Sequence, residues 1–494
     1  DIYMAGVTLL IPILLPVIAG LFVFPMKDAK ARKTLISIVL IANAAIVCGL
    51  AFTDGLSLQL WTIADNMIVG FQLDSISKFF ACLMAIIWML VAFFAYEYIQ
   101  HEGDESRFLG FYTMTGGILV GLCYSSNLIT LYMFFEMMSI MTVPLVIHSR
   151  TKEAIAAGMK YLGYSIFGAG FGLFGLFFLN RFAGGNLIFQ PGGVLNPSLV
   201  EGHETLVLVV TLIMIIGFGA KAGMIPLQAW LPTAHPVAPA PASAVLSGII
   251  TKAGVLAIIR VIFYQVGTDM LRGTWVQYML IILAITTVFV GSMLAFKEKL
   301  LKKRLAYSSV SQVSYVLFGL FLMTPASVEG ALLQVVFHAI AKNILFLCAG
   351  AIIYKTHKTY VYELRGIGKQ MPIVMWCFTL ASLSLVGIPP FAGFFSKWYL
   401  ATAALSPEFG ALGIVGAAVL LLSALLTAGY LFPIVQTAFF PGKDYNYAGL
   451  VKTEPNTDMT VPLIILSVCA LGLGIMPGGL TGAIGNIISV ILPV

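Results

Sequence analysis

The sequence predicts an all-α polytopic membrane protein with about fourteen transmembrane helices. Hydrophobic residues make up 60% of its 494 positions and charged residues only 10%, against roughly 25% charged in an average soluble domain. Runs of about 20 apolar residues, each able to cross a hydrocarbon core of roughly 30 Å, recur from one end to the other. No stretch between them reads as a soluble domain or long linker, so residues 1–494 are expected to form a single membrane domain.

Spans 1–3, near 5–25, 34–52 and 79–98, occupy an N-terminal region, 1–108. The first run is too long, and lacks the basic lead, for a cleaved signal peptide, so it is read as a span. Spans 4–8 lie near 109–126, 128–147, 159–180, 205–229 and 240–263, within 109–263. Spans 9–13 lie near 275–296, 304–323, 329–353, 373–397 and 409–437, within 275–437, and a C-terminal helix is expected over 461–488. Two spans carry helix-breaking residues. Span 7 reads GFGAKAGMIPLQAW, with Gly223 and Pro226 following Lys221, and span 12 reads GIPPFAGFFSKW, with Pro389 and Pro390 ahead of Lys397. Proline lacks an amide donor and clashes with the preceding turn, so both helices should be interrupted. Interrupted backbone at membrane depth is tolerated where it lines a cavity or is buried in protein. Two such segments in corresponding places are a mark of repeat-built transporters. Their separation by five spans suggests helices 4–8 and 9–13 as repeats; five is odd, so the second copy is inverted.

The basic residues set the expected topology. The odd-numbered connections hold 19 of the 27 Lys and Arg, and four more (Lys78, Arg181, Arg260 and Arg272) belong to the other side. Basic loops stay cytoplasmic, which places both termini on the non-cytoplasmic side of a prokaryotic plasma membrane or an energy-transducing organelle membrane. A basic face of this kind reads as topology, with lipid its neighbour and no nucleic acid as partner. The six cysteines fall singly in apolar runs and read as small core residues. No ligand set for a haem, an iron–sulfur cluster or another metal is visible, so no cofactor or redox centre is expected on this chain.

Four lysines remain that no loop can hold: Lys221, Lys252, Lys342 and Lys397. Among the 21 acids, Glu136 alone stands in the middle of an apolar run, LYMFFEMMSIMTVPL. Each such group costs about 2.5–3.5 kcal/mol at a helix centre, so five would cost on the order of 15 kcal/mol unpaired in lipid. A structural ion pair accounts for one lysine, not for four cations with one anion. Some of the lysines should therefore change protonation when a neighbour moves, as a proton relay requires. His338 and Lys342 stand at i and i+4 in QVVFHAIAKNILF, on one helix face. His338 reads equally as a satisfied core histidine or a proton carrier. Span 10 supplies Ser308, Ser309, Gln312 and Tyr315; any one serine there reads more readily as bonded within its own helix.

These residues resemble a known family. LPTAHPVAPAPASAVLSGIITKAGVLAIIR (231–260) looks like the signature of the antiporter-like, proton-translocating subunits found in respiratory complex I, Mrp-type Na+/H+ antiporters and membrane-bound hydrogenases. AYSSVSQVSY (306–315), HAIAKNILF (338–346) and GIPPFAGFFSKW (387–398) fit the same family in the same order. The resemblance covers roughly residues 70–440 and implies fourteen helices, two inverted five-helix repeats and broken helices 7 and 12. By it, Glu136 matches a helix-5 glutamate and Lys221 its helix-7 partner. Lys252 matches the central lysine, His338 and Lys342 the helix-11 relay, Lys397 the terminal group, and His235 a histidine after the first break. Thr233 stands where the family usually has an acid, leaving charge pairing there in doubt. Lys397 stands where one complex I subtype has glutamate, which argues against that subtype. The chain ends soon after span 14, from which the expectation is that it lacks the lateral helix of the largest complex I member.

The expected mechanism starts from a Glu136–Lys221 ion pair, worth about 4 kcal/mol at roughly 4 Å and an effective dielectric near 20. When an outside charge draws Glu136 away, Lys221 passes its proton towards Lys252, and His338, Lys342 and the span-10 hydroxyls continue the path to Lys397. Two classes stay open. One is a proton-translocating component that a redox arm with iron–sulfur proteins drives; the other is part of a cation/proton antiporter powered by an existing gradient. Both imply other membrane subunits as partners, and neither chooses between H+ alone and Na+ as well. An organic-solute permease is disfavoured, because the polar groups are single ionisable residues spread along the chain.

Overall fold

The computed structural model describes residues 1–65, 67–391 and 393–493. All fourteen apolar runs are helical, in the order α1 (Ile2–Val23), α2 (Ala29–Leu50), α3 (Ser75–Glu102), α4 (Glu105–Tyr124), α5 (Leu128–Val146) and α6 (Lys152–Phe182). There follow α7a (Glu204–Ala222), α7b (Trp230–Val237), α8 (Ala240–Val266), α9 (Trp275–Lys297), α10 (Leu301–Leu322) and α11 (Pro325–Thr356). The chain continues through α12a (Pro372–Val386), α12b (Gly393–Ala404), α13 (Gly410–Phe439), α14a (Thr457–Ile475) and α14b (Gly478–Ile491). Among the described residues, 12 helices are long and apolar enough to cross a membrane on their own. The other two spans are α4, diluted by glycine and threonine, and α12, which is divided.

Local signals set the helix ends. Asp74, Asn127 and Thr151 cap α3, α5 and α6 by accepting from Ser77 N (2.9 Å), Thr130 N (2.8 Å) and Ala154 N (3.1 Å), as N-caps do. Thr324 and Ser327 form a capping box on α11, with Pro325 at its first position. Both expected breaks are present. α7a stops at Gly223 (φ 79°) and α12a at Gly387 (φ 92°), left-handed conformations that glycine adopts without a Cβ penalty. The chain then passes its prolines before helix resumes.

Three differences from the sequence reading stand out. The run 461–488 is divided at Met476–Pro477 into α14a and α14b rather than forming one helix. The connection after α2 folds into a hairpin, β1 (Ser57–Ala64) and β2 (Met67–Gln72), antiparallel with Leu58 opposite Phe71. It is anchored on α5 by the Asn127 amide, which donates to Ile68 O at 2.6 Å. Arg260, read as a span-end residue, is fully buried and bidentate to Asp74 (2.6 and 3.1 Å). Its guanidinium lies 4.7 Å from the Phe189 ring and 4.6 Å from the Tyr264 ring.

The odd-numbered connections meet on one face. Lys33 pairs with Asp458 (2.7 Å), Tyr354 donates to Glu97 (2.6 Å), and Arg365 donates to Pro441 O (2.6 Å). Two buried basic residues of that face hold backbone carbonyls: Arg304 donates to Tyr430 O (2.9 Å) and Lys302 to Ala238 O.

Candidate functional site

The centre of the molecule is α8, buried throughout its span. Its helix loosens into a π turn at Leu246–Ile250, where Thr251 N–H bonds back to Leu246 O. The Ser247 carbonyl in this turn accepts from the Thr251 hydroxyl (2.6 Å) and from Lys252 Nζ (3.2 Å). Single π turns recur where a helix must re-aim a functional side chain. Here the aim is across to α11: Lys252 Nζ meets Nδ1 of His338. With the ammonium donating, Nδ1 is the acceptor and the ring proton sits on Nε2. Nε2 has no hydrogen-bond partner among the described residues.

One turn further along α11, Lys342 donates to Leu305 O (3.0 Å) and Ser309 Oγ (3.3 Å) of α10. Ser309 Oγ in turn meets Ser247 Oγ on α8. Lys252, His338 and Lys342 are all buried; two serine hydroxyls link Lys342 to α8, where Lys252 holds the Ser247 carbonyl rather than its hydroxyl. The expected i, i+4 pair extends one more step, to Gln334 at i−4 from His338, whose amide donates to Gln312 Oε1 at 3.0 Å. Gln334 Oε1 accepts from Ser396 at 2.8 Å, next in sequence to Lys397. Lys397 donates to Leu385 O (2.5 Å) in the last turn of α12a, a carbonyl left over by the break, and lies 5.2 Å from the Tyr315 ring centroid. Ser308 faces elsewhere and accepts from Tyr430 at 2.6 Å.

The first half is arranged differently. Lys221 is buried in α7a and donates to Tyr161 (3.0 Å) and Ser165 (2.7 Å) of α6. Its Nζ lies 4.3 Å from the Tyr161 ring and 5.8 Å from the ring of Phe135, the neighbour of Glu136. The expected Glu136–Lys221 ion pair is not formed: no contact within 4.0 Å joins them, and Glu136 Oε1 has no partner among the described residues. Two hydroxyls on α6 capture the lysine instead. Tyr161 OH also contacts Thr142 (2.6 Å), which ties the cluster back to α5. Backbone contact is intimate here: a Cβ on Gly254 of α8 would lie 2.7 Å from Ala222 N and 2.8 Å from Lys221 Cβ. Yet Lys221 reaches towards α6 and Lys252 towards α11, and no direct side-chain hydrogen bond joins the two among the described residues.

The break itself is satisfied by protein. Ile225 N donates to Thr287 Oγ1 (3.1 Å) and Trp230 Nε1 to Ala220 O (2.6 Å), as backbone at membrane depth requires. His235 is buried and stacked on Phe346 (4.8 Å), with neither ring nitrogen partnered among the described residues. Thr233 accepts from Lys160 at 3.0 Å, so a hydrogen bond stands where an acid would have made an ion pair. Sequence reasoning missed Tyr161, Ser165, Ser247 and Gln334. Only Gln334 had a readable signal, its spacing from His338.

A helical membrane protein with two interrupted spans, a line of buried lysines and hydroxyls between them, and few charges elsewhere defines the class of ion-translocating membrane subunits. Residues 125–427 match the NADH:quinone oxidoreductase/Mrp antiporter transmembrane family, and the chain belongs to it. It is 31% identical over 424 residues to an NADH-quinone oxidoreductase subunit of Desulforudis audaxviator, covering 82% of each chain. It is 29% identical over 478 residues to a Na(+)/H(+) antiporter subunit of Alkalihalophilus pseudofirmus, covering 94% of this chain and 91% of the relative. Its fold is similar to a chain of the archaeal membrane-bound sulfane sulfur reductase, with a TM-score of 0.83 at 23% identity over 98% of this chain and 97% of the other.

Proposed function

We propose that this chain is a proton-translocating, antiporter-like subunit of a multisubunit membrane complex, and that Lys252, His338 and Lys342 are the centre of its relay. The observation that carries the reading is the buried link Lys252–His338 together with Ser247–Ser309–Lys342. The Lys252–His338 contact can pass a proton directly, and a rotation of the Ser247 hydroxyl or a water is needed to carry it on to Ser309 and Lys342, since Lys252 itself bonds the Ser247 carbonyl. Gln312, Gln334 and Ser396 extend the polar seam towards Lys397. Lys221, held by Tyr161 and Ser165, is the carrier of the first half, and Glu136 is its switch. Glu136 is only partly buried, so its carboxyl group as a whole lies within reach of a cation brought by a neighbouring subunit, while its Oε1 is buried without a partner among the described residues. Water completes the step between Lys221 and Lys252. His235 lends a further polar group beside Phe346.

The two interrupted helices, each closed by a left-handed glycine in the fourth helix of its set, support helices 4–8 and 9–13 as inverted repeats. The gathering of the basic connections supports a cytoplasmic basic face with both termini opposite. Similarity to a quinone oxidoreductase component supports coupling to a redox arm with iron–sulfur proteins. A second reading, a gradient-driven cation/proton antiporter that also carries Na+, is favoured by the longer match to the Na(+)/H(+) antiporter relative. Mass spectrometry of the assembly purified in mild detergent separates the two, since only the first brings redox proteins with it.

Lys252→Met in the assembled complex, reconstituted in proteoliposomes, tests the relay. Loss of proton movement with intact assembly is expected, and Lys252→Arg should not restore it, because guanidinium does not release a proton at these pH values. Proton movement at the wild-type rate in Lys252→Met would overturn the assignment.

A further inference from the structure

A cavity of about 590 Å³ opens among α3, α11, α14b and the connection after α2. Its mouth is polar. Asp54, in the connection after α2, pairs with Lys78 of α3 at 2.7 Å, and Ser75 stands beside them at the first turn of α3. Below this end the lining is apolar but for Asn486: Phe79, Leu83 and Ile86 descend α3, with Ala483 and Ile487 of α14b also in the wall. From Ser75 to Ile86 the helix rises about 16 Å at 1.5 Å per residue. Half of a hydrocarbon core is about 15 Å. The groove thus starts at the helix end with a charge of each sign and runs the depth of one leaflet.

We propose that this groove is a binding site for one phospholipid with a zwitterionic phosphoethanolamine head. The phosphate takes Lys78 and the primary ammonium takes Asp54, while an acyl chain follows the apolar ladder of α3. The mouth suits this head better than an anionic one. The Asp54 side chain is 94% exposed beside Lys78 and would repel a second negative charge, whereas an ammonium gives it a partner. An exposed Lys–Asp pair contributes little by itself, so exchanging it for two contacts with the head group costs the protein little. The chain length that fits is also that of a lipid tail rather than a small solute.

The assembled complex, reconstituted in nanodiscs of equal phosphatidylethanolamine, phosphatidylcholine and phosphatidylglycerol, supplies the test. Native mass spectrometry then counts lipids retained after release. The expected result is one phosphatidylethanolamine more on the wild type than on the double variant Asp54→Ala, Lys78→Ala. The same lipid should be lost from Ala483→Phe, which fills the groove from an exposed position of α14b and leaves the fold intact. Equal retention of the three lipids, or retention unchanged in both variants, would overturn the proposal. A quinone or a helix of a neighbouring protein found in the groove would overturn it as well.

Discussion

Ser309 is the narrowest point of the proposed relay, and its removal makes a quantitative test. Its hydroxyl is one of two acceptors for Lys342 (3.3 Å), with Leu305 O the other, and it is the only link from α10 to Ser247 Oγ on α8 among the described residues. Ser309→Ala leaves the Ser247 hydroxyl facing a methyl group and Lys342 with a single carbonyl. Leaving a buried polar group unsatisfied costs about 1–3 kcal/mol. If that cost falls on the transfer step, the rate drops by about 5- to 150-fold, since each 1.36 kcal/mol is tenfold. Ser309→Thr keeps the hydroxyl and should restore most of it. The assay is proton uptake into proteoliposomes, followed with a pH-sensitive dye, beside complex assembly measured by gel filtration. Transport within twofold of wild type in Ser309→Ala, with Lys252→Met inactive in the same preparation, would refute a path through this serine.

Glu136→Gln removes the acid without changing shape, and coupled transport should fall while assembly holds; unchanged transport would remove Glu136 from the switch. Tyr161→Phe with Ser165→Ala strips Lys221 of both its acceptors, and should lower transport more than either single change in the same proteoliposome assay. Gly254→Val drives a side chain into Ala222 N and Lys221 Cβ, at 2.7 and 2.8 Å for its Cβ alone. Overpacking of this kind costs about 1–3 kcal/mol, so a lower melting temperature in detergent and displaced transport activity are expected together. Asp74→Asn breaks the bidentate pair with buried Arg260, a loss of about 3 kcal/mol or more. Burial pushes the Asp74 carboxyl up, but the Arg260 guanidinium and the Ser77 donors together hold it below its usual value. The pair's contribution is thus present above about pH 4 and lost as pH falls through the folded value. The melting difference between Asp74→Asn and wild type should hold steady above about pH 4 and shrink below it; a difference that stays unchanged as pH falls well below that value would contradict the ionic account.

Much of the site was legible because charge is so expensive in lipid. Lys221, Lys252, Lys342, Lys397 and Glu136 stood out from the sequence by depth alone, and His338 by its spacing from Lys342. The helix breaks were legible because proline and glycine act locally, through a missing amide and a permissive φ. What was not legible is pairing. Glu136 and Lys221 are the obvious partners by charge, yet Tyr161 and Ser165 hold the lysine. A tyrosine and a serine among many in apolar helices give no signal until α6 is laid against α7a. Ser309 was the less favoured kind of candidate, a serine expected to bond within its own helix; it does bond Leu305 O at 2.9 Å, and meets Ser247 as well. Arg260 sat among the span-end residues because its partner, Asp74, is 186 positions away.

The sequence by itself determined that this chain lives in a membrane, where its spans run, that spans 7 and 12 break, which family it resembles, and which few ionisable residues lie buried at membrane depth. Each of those follows from a local quantity: hydropathy over twenty residues, a missing amide, a charge with no water. Only the tertiary structure decided the order in which the buried groups touch. It directed Lys252 across a π turn to His338, joined α8 to α10 through two serines, and turned Lys221 the other way. A hydrogen bond depends on ångström-scale distance and direction between helices far apart in the chain, and hydropathy carries no record of either.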